Sequence, residues 1–219
     1  MFGGDLIVFT GVEPLLEVDP ERIDESKPLL RAALEHVGVD PARTYWDRPF
    51  LRVVEPVDEG AEVQPGRIGF HRDTWSSNVL AQVNWWTPLS PITAERTIAF
   101  YTAYWSRPIA NSSADWDLDE IRERRRNGED VQIVPEPTEP VDMESELRMV
   151  MEPGDLLCFS GAHLHASVPN TSGERRVSVE LRTVHADDHE RGRGAPDLDG
   201  RAPRVPLHWF KSMETGEPL

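Results

Sequence analysis

At 219 residues, 38% of them hydrophobic, the chain has the size and composition of one globular domain with a sizeable core, not of a disordered chain. Its 39 acidic and 23 basic side chains leave a formal charge of −16, a field that repels phosphate backbones and argues against nucleic acid as a partner. Cys158 is the only cysteine, no apolar run reaches bilayer length and the first residues lack a signal-peptide layout, so a cytoplasmic protein without disulfide or membrane span is expected.

Residues 1–25 read as irregular. Residues 26–38 predict an amphipathic helix, with Ser26 as its cap, Pro28 in the first turn, Gly38 as its stop and Leu30, Ala33, Leu34 and Val37 as its buried stripe. From Tyr45 the pattern changes to short strands punctuated by Pro and Gly. They are expected at residues 50–54, 67–75, 79–86, 96–105, 147–151, 155–160, 162–168 and 175–184. Such a succession predicts a mainly β fold, a barrel or jelly roll with a few flanking helices. Residues 115–126 interrupt it as a helix, with acids first, arginines last and Gly128 to close it. With the Pro-rich run 134–140 they form an excursion over 106–146, read as a lid or as a contact surface in a homodimer. The whole chain, 1–219, is read as one domain with its β core at about 50–184.

Chemistry concentrates in two places. In His71-Arg72-Asp73, alternation along a strand points His71, Asp73 and Trp75 the same way. Those three letters also open a kinase catalytic loop, but the chain has no Asn at the required offset, no Gly-rich loop and no DFG. Downstream, His163, His165 and Ser167 share a strand face, and Arg176 and Ser178 share the next one after a Pro-Asn turn. Two histidines and one carboxylate, His71, Asp73 and His165, are the ligand set of a non-haem Fe(II) facial triad, which leaves three positions open. His165 is preferred over His163 because of the Arg176 that follows, whose guanidinium can hold the distal carboxylate of a 2-oxo acid. Gln82, Asn84 and Trp86 alternate on a presumed inward face, and Glu180 and Arg182 continue the face of Arg176. His36, His185, His189 and His208 fall outside the strand set and read as surface residues.

The spacing of His71, Asp73, His165, Ser167, Asn170 and Arg176 resembles the Fe(II)/2-oxoglutarate-dependent oxygenases, specifically their phytanoyl-CoA dioxygenase-like branch. The likeness covers about residues 50–184 and leaves the excursion and both ends unmatched. It implies a double-stranded β-helix of the jelly-roll, cupin-like kind, with iron at its open end. It implies 2-oxoglutarate as cosubstrate, with Arg176 on its C5 carboxylate, Ser167 or Ser178 adding a hydroxyl, and Asn84 or Gln82 on its C1 side. Trp75, Trp86 and Arg182 are then the candidates for the substrate space. The expected reaction is hydroxylation of a small molecule with O2, since Asp73 is retained where halogenating relatives carry a small residue. Two rival readings are a cupin-type metal-binding isomerase or binding module, and an iron oxygenase that does not use 2-oxoglutarate. Neither needs an inward Arg176–Ser178 pair beside the metal.

Overall fold

A computed structural model describes residues 4–57 and 67–219. Its strands are β1 (Ile7–Phe9), β2 (Thr44–Trp46), β3 (Phe50–Val54), β4 (Gln82–Pro88), β5 (Ile98–Tyr101), β6 (Glu146–Arg148), β7 (Leu156–Ser160), β8 (His165–Ser167), β9 (Arg176–His185) and β10 (Lys211–Ser212). The α-helices are α1 (Lys27–His36), α2 (Asp73–Ser77), α3 (Leu118–Arg126) and α4 (Ala186–Glu190).

Seven strands form the major sheet in the order β1-β7-β4-β9-β2-β10, and β3 pairs with the first half of β9 along the edge that β2 occupies further on. The minor sheet is β6-β5-β8, extended by a single bridge from His71 to His165. All these pairings are antiparallel, and the two sheets together form the expected double-stranded β-helix.

Alternation sorts the side chains into layers. Odd positions of β4 and β9, Val83, Trp85, Val179 and Leu181, pack with Leu30, Ala33 and Leu34 of α1 on the outside of the major sheet. Trp86, Ile98, Phe100, Leu157 and Phe159 meet between the two sheets. Behind the minor sheet Trp75 packs with Ala99, Tyr101, Tyr104 and Leu164. The even positions of β9 and β4 are thereby left facing inward, where most of the polar side chains of the site lie.

Several elements differ from the sequence expectation, each for a physical reason. Residues 67–75 are not a strand: the chain meets β8 through the His71 bridge and a Ser167 N–H bond to the Ile68 carbonyl, then turns into α2, whose left-handed C-cap is Asn78 at φ 51°. Ser26 makes no side-chain cap bond, because its hydroxyl turns back to the Arg22 carbonyl at 3.3 Å. β4 runs through Thr87 and Pro88, because β7 has ended there and the missing Pro88 N–H loses no partner. The expected strand over 96–105 stops at Tyr101 and continues as a 3-10 turn over Thr102–Trp105. Residues 1–25 are not all irregular, since β1 adds an edge to β7. Among the described residues no helix is long and apolar enough to cross a membrane.

Candidate metal centre

His71 and His165 meet through a reciprocal backbone pair, each N–H donating to the other's carbonyl at 3.0 Å. That bridge sets their rings 4.2 Å apart. Each Nδ1 then lies against the carbonyl two residues earlier, His71 on Gly69 at 2.9 Å and His165 on His163 at 3.0 Å. A carbonyl only accepts, so Nδ1 carries the proton in both rings and the Nε2 lone pairs are left for a metal. Asp73 joins them from the first turn of α2, with Oδ2 3.8 Å from His165 Nε2. The three ligand atoms lie within 4.8 Å of one another, and all three residues are buried. Two imidazoles and a carboxylate, aimed at one point, are a His-Asp-His metal-binding set.

Neighbouring groups hold that set in its ligating form. Burial opposes a charge on His71 and, with His165 beside it, lowers its pKa to about 3 against the pull of Asp73, so the ring is neutral. Burial also opposes ionisation of Asp73, but Arg182, the two imidazoles and the Asn84 amide outweigh it and keep the carboxyl pKa below its ordinary value. Asn84 donates Nδ2 to Asp73 Oδ2, Gln82 donates Nε2 to Asn84 Oδ1 at 2.7 Å, and Arg182 stands 3.7 Å from Asp73 Oδ1. Gly161 fits where it does because a Cβ there would lie 3.0 Å from the Gln82 amide and 3.4 Å from the Asp73 Cβ.

Beside the triad lies a narrow cavity with about 550 Å³ of open space. Arg176 is its most unusual wall: the guanidinium is wholly buried and donates to the Thr97 carbonyl at 2.8 Å and to Ser167 Oγ at 3.2 Å. Among the described residues it makes no ion pair and its Nε has no partner. Burial, with Arg52 nearby, lowers its pKa to about 10 against the help of Glu180, so the charge remains at neutral pH and calls for an anion. Trp86, Phe159 and Ile98 supply apolar wall, and Arg52, Glu180 and Arg182 the charged one. A second, more open hollow of about 610 Å³ meets the first at Ile68 and Val134.

The sequence profile of the phytanoyl-CoA dioxygenase (PhyH) family matches residues 19–178. The chain belongs to that family. No protein of curated function matches it in sequence. Among solved structures, the chain is similar to the non-haem α-ketoglutarate-dependent epimerase SnoN from nogalamycin biosynthesis, at 13% identity and a TM-score of 0.53 over 95% of this chain and 91% of that one. It is also similar to HygX of Streptomyces hygroscopicus, solved with nickel and 2-oxoglutarate, at 13% identity and a TM-score of 0.50 over 82% of each chain. A third likeness is to EvdO2 of Micromonospora carbonacea var. aurantiaca, at 16% identity and a TM-score of 0.50 over 83% of this chain and 67% of that one. At these identities the structural likeness establishes the shared fold.

In this PhyH-family chain the residues singled out from sequence fall into three groups. His71, Asp73, His165, Asn84, Trp86, Ser167, Arg176 and Arg182 line the cavity. Gln82 and Ser178 sit behind it: Gln82 supports Asn84, while Ser178 Oγ is buried with no hydrogen-bond partner among the described residues and is not among the cavity-lining residues. Trp75 is corrected. It stands on α2 rather than on a strand, so it points behind the minor sheet, where its indole donates to Asp199 Oδ1 at 2.6 Å. His163 faces Trp105, with ring centroids 4.6 Å apart, and is outside the metal-binding set. Arg52 escaped the sequence reading, although an arginine at the centre of an otherwise apolar five-residue strand was a usable signal; it pairs with Glu180 inside the cavity.

Proposed function

We propose that this protein is a non-haem Fe(II)- and 2-oxoglutarate-dependent dioxygenase that hydroxylates a small-molecule substrate. The observation that carries the reading is Arg176, a buried guanidinium that makes no ion pair among the described residues and shares its cavity with a His-Asp-His set. Such a group is costly unless an anion joins it, and a dicarboxylate that also reaches the metal fits both ends of the cavity. SnoN and HygX, by their descriptions, are an α-ketoglutarate-dependent enzyme and one solved with 2-oxoglutarate, which agrees with this choice.

His71, Asp73 and His165 would hold Fe(II), which supplies the oxygen activation that turns 2-oxoglutarate and O2 into succinate, CO2 and an oxidised substrate. The protein's own part is positional. Arg176 and Ser167 hold the far carboxylate, which fixes the reach of the cosubstrate toward the triad. Asn84, backed by Gln82, and Arg182 keep Asp73 ionised and in place. Phe100, stacked on His165 at 5.6 Å, and Phe159, edge-on at 5.2 Å, keep water from the ligand side.

The test is anaerobic. Fe(II) followed by 2-oxoglutarate should give the visible charge-transfer band of the chelate in the wild type. R176A should need far more 2-oxoglutarate for the same band, a loss of about 2–5 kcal/mol for a desolvated charged pair, with metal binding kept. An unchanged titration in R176A would reject Arg176 as the anchor. Metal binding with no band at all would favour the cupin-type alternative.

A further inference from the structure

Arg72 stands between the two ligands His71 and Asp73 and points away from the metal. Its side chain is 3% exposed. It donates to the carbonyls of Ala162, Tyr104 and Arg107, and its Nε lies 3.2 Å from Asp199 Oδ1. The same Asp199 oxygen accepts the Trp75 indole N–H at 2.6 Å, two residues beyond Asp73. Its other oxygen accepts the Ile109 N–H at 3.0 Å, and its carbonyl accepts Asn111 Nδ2 at 2.9 Å, both at the base of the excursion. One buried carboxylate therefore meets the metal-bearing segment at two side chains that bracket Asp73 and the excursion at the Ile109 N–H, while the backbone carbonyl of the same residue adds the bond to Asn111.

We propose that Asp199 is a positioning residue for the metal centre: it clamps the segment His71–Trp75 from behind and ties it to the foot of the excursion. This rests on the metal reading of the triad. Asp199 lies in the charged C-terminal tail, beyond the residues that match the family. Without its charge, the Arg72 guanidinium stays buried beside two ligands with three carbonyls but no ion-pair partner among the described residues. Segment and cation would then both work against metal uptake. Groups that orient metal ligands typically change affinity 10–100-fold when removed.

Co(II) titration followed by its visible d–d bands reads this without turnover. In D199N the dissociation constant should rise about tenfold and the bands should shift, because the ligand geometry relaxes. D199E, which restores the charge, should recover part of the affinity. L34A, a cavity in the α1 layer across the major sheet, should lower the melting temperature as much or more and leave the Co(II) constant and spectrum unchanged. If D199N does not fold, W75F removes one of the two clamping bonds with every charge kept and should weaken Co(II) several-fold. Superimposable curves for wild type and D199N, or for wild type and W75F where D199N does not fold, overturn the proposal alone. A wild type that takes up no Co(II) overturns the triad reading and this proposal together.

Discussion

At the scale of single residues, the reading of His165 rather than His163 as the ligand rests on which ring nitrogen is tied to the backbone. His165 has Nδ1 bonded and Nε2 toward Asp73, whereas His163 packs against Trp105 and supplies His165 with its carbonyl. H165A should therefore abolish tight Fe(II) or Co(II) binding, and H163A should cost stability while sparing most of it; calorimetric titration of the two variants decides. The opposite pattern would reassign the ligand. Asn84 offers a finer test. Its amide donates to Asp73, so N84A should weaken metal binding about 10–100-fold. An Asn84 that served only the cosubstrate would leave the metal constant where it was and move the 2-oxoglutarate constant instead.

Among the elements, α3 is held at the rim of the site by charge. Asp47, 5% exposed, receives Arg122 of α3 at 3.1 Å and Arg182 of β9 at 3.3 Å, while the Arg122 guanidinium also lies 3.8 Å over Trp209. D47A removes the carboxylate beside Arg122 and one of those beside Arg182, both cations being partly exposed, so the loss should be about 1–3 kcal/mol, below that of a fully buried pair. Denaturant melts measure it, and a change under about 0.5 kcal/mol would mean that other contacts, such as Trp209 and the Arg204–Asp117 pair, hold the helix. This clamp was not legible beforehand. Asp47 sits in a turn between two short strands, and nothing local marks a lone aspartate as the partner of residues 75 and 135 positions away. What could be read was periodic: the stripe of α1, and the alternation on β4 and β9 that turned Asn84, Trp86, Arg176 and Arg182 inward. What could not be read was a change of geometry inside a motif. His71 and Asp73 were placed together by strand logic, and they do meet, but Asp73 arrives from a helical turn and Trp75 is carried to the opposite side. The tail was discounted for its Gly, Pro and charge, a composition that hid the buried Asp199.

For the molecule as a whole, the lone thiol is a quiet reporter. Burial pushes the Cys158 thiol up to about 12, so roughly a thousandth of the thiolate expected of a free cysteine is present at a given pH. Iodoacetamide labelling at pH 8 should be slower than for a free thiol by a comparable factor and should accelerate on unfolding; fast labelling of the native protein would show that β7 opens at its edge with β1.

The reciprocal bond between His71 and His165 joins positions 94 residues apart in the chain. Neither imidazole can face the other until the intervening strands have closed, which makes the centre a late arrival in folding. Once a cation is there it binds only the closed arrangement, so it must lower the open population of that one pair in proportion to its concentration over its dissociation constant. Hydrogen exchange should record this as protection added at the His71 and His165 amides, about a hundredfold at a hundredfold excess over that constant, with little change along α1 where local fraying governs exchange. Equal gains at both places would mean that these amides exchange only by global unfolding.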